Sequence, residues 1–170
     1  MMALRSDWSD DACPIRRALD VVGDPWVLVI LRDVLHGHGR FDSLHRNLGI
    51  SEAVLSRRLR GMVDAGLLVR IDYERGGRTR QGYAATEAAA ELLPVLQQLA
   101  LWGEKHTRTP DHAGHMPLVH RACGMETTRG EVCSACGEPL VSEQMTWVKP
   151  WKDARDDLVG PGVLLRRGTP

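Results

Sequence analysis

No run of about 18 apolar residues occurs in this chain of 170, so a membrane-spanning helix is not expected. The opening MMALRSDWSDDACP places acids where a secretory leader needs its apolar stretch, which points to a soluble, cytoplasmic protein with no membrane partner. A Gly-rich phosphate loop, a metalloprotease motif and a nucleophile elbow are all missing, so an enzyme is not expected. Internal repeats are absent as well. Lysine is scarce: nineteen of the 22 cations are Arg, whose forked guanidinium suits phosphates and guanine edges better than a point charge does. Net charge is also lacking, with 22 cations against 22 acids, and that balance alone offers a polyanion little attraction.

What is present changes this picture. Apolar residues make up 43% of the chain, enough to bury a core, and the length suits one ordinary domain with an appendage. Charge is unevenly placed: from Arg40 to Arg80 there are nine Arg against five acids. Residues 1–12 are polar and read as a flexible start. Pro14 opens IRRALDVVG, with Ile15, Leu19 and Val22 at helical spacing. Asp24-Pro25 then caps and starts WVLVILRDVLHG, a helix apolar almost all round and hence central to the fold.

A short helix, FDSLHRNL, ends at Gly49, and Ser51 caps EAVLSRRLRGMVDAG, whose Leu55, Leu59, Met62 and Val63 form one stripe. Two helices around a tight Gly turn make a helix-turn-helix unit. LLVRIDY and GYAA, separated by ERGGRTRQ, read as a hairpin with a basic tip, a wing. From Thr86 a long amphipathic helix carries Leu92, Leu96, Leu99 and Trp102 along one side, with Pro94 as a bend and more apolar surface than a lone helix needs.

At about 100° per residue, Ala53, Arg57, Arg60 and Asp64 face away from the stripe that centres near Leu55. An outward basic face on the second helix is what major-groove reading requires. Arg57 is the candidate for direct base contact, Ser56, Arg58 and Arg60 divide between bases and phosphates, and Ala53 can lie against a thymine methyl. Ser51 joins this set at the cap. Arg75, Arg78 and Arg80 on the wing meet backbone or minor groove and supply salt-dependent affinity. An ordinary solvated charge stripe would explain one such helix; it does not explain the helix, turn, helix and basic hairpin together.

These residues closely resemble the HxlR-type winged helix-turn-helix regulators. The resemblance spans residues 13–106 and rests on Cys13-Pro14 with Leu19-Asp20, GDPWVLVILRDVLHG (23–37), RFDSLHRNLGIS (40–51), LSRRLRGMVDAGLLVR (55–70), Tyr83 with Thr86, and LPVLQQLALWGEKH (93–106). The wing departs from the pattern, with GGRTRQGY where many members have a Pro-containing turn and a Val-Glu-Tyr run. The resemblance implies a homodimer joined through the first and last helices, a palindromic double-stranded DNA operator, and activation or repression of nearby genes. It also implies that Cys13, at a helix N-terminus where the dipole favours a thiolate, is a redox-sensing candidate for an oxidant or electrophile. A small side chain packed at a helix start is the competing account.

The other cysteines lie in His120-x2-Cys123-x9-Cys133-x2-Cys136-Gly137, a zinc (Zn2+) ligand spacing with His115 as a substitute. A redox-responsive thiol cluster and a metal-free hairpin compete with it. A catalytic zinc would want a neighbouring Glu and His, and none accompanies the motif. The expected architecture is mainly α with a β-hairpin wing, plus a small β-rich zinc-ribbon-like module. Its expected divisions are a winged domain at 13–106, a linker at 107–114, the module at 115–145 and a tail at 146–170. Trp147 and Trp151 either line a small-molecule pocket or cover the core. The alternative function is a winged-helix protein-interaction module, which would be indifferent to DNA and salt.

Overall fold

The computed structural model describes residues 7–108, 110, 114–128, 130–149 and 154–164. Helix α1, Pro14–Val22, starts at a proline whose missing N–H costs nothing in the first turn. Helix α2, Pro25–Leu35, begins where the Asp24 carboxylate accepts the Trp26 N–H at 3.0 Å. Val27, Ile30, Leu31, Val34 and Leu35 are all buried, so α2 is the central post that its all-round apolar pattern required. Helix α3, Phe41–Leu48, closes on Gly49 at φ 64°, a left-handed stop, and after two residues Ser51 caps α4, Glu52–Asp64. Leu55, Leu59 and Met62 of α4 face the core, each Leu contributing about 1.5–3 kcal/mol by its burial.

Strands β1, Leu68–Arg75, and β2, Arg78–Ala85, form the wing, paired antiparallel from Leu68 with Ala85 to Arg75 with Arg78. The two-residue loop between them, Gly76 and Gly77 at φ 60° and 70°, has the positive angles that match hairpin twist. The loop after α2 seats on this hairpin: the Tyr83 N–H donates to the Gly39 carbonyl at 2.8 Å, and a Cβ on Gly39 would lie 1.8 Å from the Tyr83 oxygen.

The structure differs from the expected layout in two places. The long helix is broken into α5, Glu87–Ala90, and α6, Leu93–His106, because Pro94 lacks the N–H that would bind the Ala90 carbonyl. The boundary expected between 145 and 146 runs through a strand. Strands β3 (Leu118–His120), β4 (Met125–Thr127), β5 (Met145–Lys149) and β6 (Ala154–Asp157) make one antiparallel sheet in the order β4-β3-β5-β6. Nor is this sheet a satellite: Leu118, Met145, Trp147 and Leu158 belong to the same buried cluster as Ile30 of α2 and Leu59 of α4. Trp147 covers the core, stacking on His36 with ring centroids 5.5 Å apart, while Trp151 lies outside the described residues. Burial, helped by the charge of Lys149, pushes His36 down to about 3, so the ring is neutral at physiological pH.

Residues 158–164 then return as a strap. The Val159 N–H donates to the Leu35 carbonyl at 2.8 Å, and the Gly162 N–H to the Ala85 carbonyl at 2.9 Å. One end of the strap thus completes the C-terminus of α2, and the other holds the base of the wing.

Candidate nucleic-acid interface and metal centre

The face of α4 away from the core carries Ala53, Arg57 and Arg60, all exposed, and neither Arg has an ion-pair partner among the described residues. Ser51 serves as the cap, accepting the Val54 N–H at 3.4 Å, and Ser56 is half-buried. Arg58 turns elsewhere: its Nη2 lies 2.7 Å from Asp24 Oδ2, fastening α4 to the cap of α2. On the wing, Arg75 and Arg80 both lean on Asp42 in the first turn of α3, at 3.3 and 3.9 Å, while Arg78 is exposed with no ion pair among the described residues. Arg57, Arg60 and Arg78 thus have no ion pair among the described residues, whereas Arg58, Arg75 and Arg80 are held in internal pairs. His45 and Arg46 line a shallow depression with Ser51 at the turn between α3 and α4.

His120, Cys123, Cys133 and Cys136 converge, their ligand atoms all within 4.8 Å of one another. Two turns deliver them. The Gly124 N–H bonds to the His120 carbonyl at 2.8 Å and the Gly137 N–H to the Cys133 carbonyl at 2.9 Å, with both glycines at positive φ. The Cys123 and Cys133 sulfurs stand 3.7 Å apart, and His120 Nδ1 lies 3.5 and 3.3 Å from the sulfurs of Cys123 and Cys136. A tetrahedral ion with bonds of about 2.3 Å to sulfur and about 2.0 Å to nitrogen needs edges of about 3.7 Å between sulfurs and about 3.5 Å between nitrogen and sulfur. These three edges match that geometry, and the 3.7 Å between the Cys123 and Cys133 sulfurs is far from the about 2.05 Å of a disulfide. The Cys136 N–H, with that of Ala135, pulls the Cys133 thiol down to about 6 against the opposing effect of burial. His115 is no substitute ligand, since its two ring nitrogens contact Glu104 and Glu126 at 2.6 Å each.

The cluster is wired to α6. Ser134, next to Cys133, donates its N–H to Thr127 Oγ1 at 3.0 Å, and the Thr127 carbonyl accepts from the buried Gln97 side chain of α6. Glu104 at the far end of α6 holds the Met116 N–H at 2.7 Å.

A model of the HxlR-like helix-turn-helix family matches residues 21–111. The chain belongs to this family. It is 36% identical over 132 residues to the uncharacterised HTH-type transcriptional regulator Rv3095 of Mycobacterium tuberculosis, covering 78% of this chain and 82% of that one. It is 28% identical over 111 residues to an uncharacterised HTH-type transcriptional regulator of Methanothermobacter thermautotrophicus, at 64% and 84% coverage. Among solved structures, PA1607, described as a candidate transcription factor, superposes with a TM-score of 0.65 at 34% identity, covering 82% of this chain and 96% of its own. The oxidised form of the redox regulator HypR superposes with a TM-score of 0.51 at 28% identity, covering 57% and 100%. The PA1607 match thus reaches past the winged domain. Transcriptional regulation by an HxlR-like helix-turn-helix is the activity class of this chain, and no described helix is long and apolar enough to cross a membrane.

Cys13 is half-buried at the cap of α1, its N–H bonded to Asp11 Oδ1 at 2.8 Å. Ile15 and Leu19 of α1 and Val95, Leu99 and Trp102 of α6 are exposed apolar side chains, with Trp102 60% accessible.

Proposed function

We propose that this HxlR-like regulator binds a palindromic double-stranded DNA operator as a homodimer, with Arg57 and Arg60 entering the major groove and Arg78 holding the flanking backbone. The observation that carries this reading is the set of exposed cations, Arg57, Arg60 and Arg78, that have no ion pair among the described residues on the second helix of the motif and the wing tip. Arg75 and Arg80, tied to Asp42, set the angle of the wing, and each can exchange that carboxylate for a phosphate. The exposed apolar side chains of α1 and α6 supply the dimer contact, and two-fold symmetry then places the α4 helices in successive major grooves.

His120, Cys123, Cys133 and Cys136 would hold zinc. With four protein donors such a site is closed, so the ion would brace the β-sheet and, through Thr127 and Gln97, α6. Cys13 is the candidate for sensing an oxidant, a role supported by its cap position and by the likeness to a regulator described as redox-responsive. Selection of bound sites from random DNA is the deciding experiment. Two half-sites about 10–10.5 base pairs apart are expected; recovery of no preferred sequence would overturn the reading.

A further inference from the structure

A cleft of about 540 Å3 opens where the break between α5 and α6 meets β3 and the loop that follows the Cys/His turns. Its volume is that of a small-molecule site. Leu93, Pro94, Leu118 and Leu140 give it an apolar floor. Its rim is acidic: Glu87 and Glu91 stand on one side and Glu131 and Glu143 on the other, with no cationic residue among the described residues that line it. Among the described residues Glu87, Glu91, Glu131 and Glu143 have no ion-pair partner, and the Glu143 carboxylate accepts the Ser142 hydroxyl at 3.2 Å.

We propose that this cleft binds a lipophilic organic cation. The apolar floor takes a hydrocarbon or aromatic body, and the carboxylate rim, whose mutual repulsion a positive ligand relieves, selects its charge. A hard metal ion does not fit, because the Cys/His group is the only one among the described residues whose donors converge closely enough to hold an ion. The acids of the described rim would repel a nucleic acid. The position gives occupancy a consequence: α5 joins the wing to α6, so a ligand wedged at the Glu91–Leu92 break spreads the wing from the proposed dimer helix. That consequence rests on the regulator reading above; occupancy does not.

Titration calorimetry of the full chain with tetraphenylphosphonium tests the proposal, using tetraphenylborate, of the same shape and opposite charge, as control. One phosphonium per chain is expected, with borate failing to bind. The combined variant Glu91→Gln and Glu131→Gln is expected to weaken binding by about five-fold or more, and Val141→Arg, which adds a cation at the rim, to abolish it. Equal affinity for borate, an unchanged double variant, or no phosphonium binding each overturns the proposal, and spermidine binding as tightly overturns its lipophilic half. Gel shift on the same protein keeps the two readings apart. A chain that shifts DNA and ignores phosphonium sinks only the cleft, and one that takes phosphonium and ignores DNA sinks only the regulator.

Discussion

Arg57 and Arg58 are neighbours in sequence with opposite employment, one open to solvent and the other clasped to the Asp24 cap at 2.7 Å. A helical wheel sorts side chains by direction alone, so it separates Arg57 from the core but cannot register a carboxylate more than thirty residues upstream. Arg57→Ala is expected to cost about 1–3 kcal/mol in operator binding and to relax base preference, whereas Arg78→Ala should weaken all sequences alike and lower the salt slope by about one. Gel shifts over a salt series on matched and scrambled sites distinguish the two. His115 makes a pH-dependent link between α6 and β4, its imidazole raised above the usual 6.5 by Glu126 and, against some burial, by Glu104. Because the folded value is the higher one, this clamp is complete below about pH 6.5 and is lost as pH rises through the folded value. Thermal melts between pH 6 and 9 should show a decline that His115→Ala flattens; an unaltered slope would remove the clamp.

At the level of elements, the helix-turn-helix, its caps and the Gly-Gly wing were legible because each is written in local chemistry: Ser51 at a cap, Gly49 at a stop, alternation in LLVRIDY. The break at Glu91–Leu92 was half legible, since Pro94 announces an interruption without fixing whether the helix bends or divides. Strands β5 and β6 were hidden. Thr146, Lys149 and Asp156 are polar yet buried, the last two paired at 3.5 Å, and a strand that buries its own ion pair shows no apolar alternation. The Cys/His turns were legible from spacing alone, and the structure adds the link through Thr127 to Gln97. Protein purified without a His-tag should carry one zinc per chain, and Cys133→Ser should lose it and lower Tm by about 5 °C or more, at about 2–4 °C per kcal/mol for a chain this size. Elemental analysis with calorimetry decides; a wild-type chain without zinc would overturn the metal reading.

For the whole molecule, zero net charge conceals a division of labour: basic side chains collect on α4 and the wing, acidic ones around the cleft beside α5. The apolar surface of α1 and α6 is the expected dimer contact, so Trp102→Glu should convert a dimer to a monomer in sedimentation velocity and abolish operator binding with little change in circular dichroism. A wild type that sediments as a monomer would count against the symmetric operator as well. His36 adds an acid limit. Its folded value near 3 lies below the ordinary 6.5, so the stability it contributes is whole above about pH 6.5 and drains away as pH falls toward 3.

The strap ties this molecule together in an order opposite to that of its synthesis. Every residue of the helix-turn-helix and wing leaves the ribosome before Val159 exists to meet the Leu35 carbonyl, and at about 5–20 residues per second the wait lasts several seconds. A nascent DNA-binding domain therefore emerges with the end of α2 open and the wing root untethered. A chain cut before residue 158 would leave the Leu35 and Ala85 carbonyls without these two donors for good.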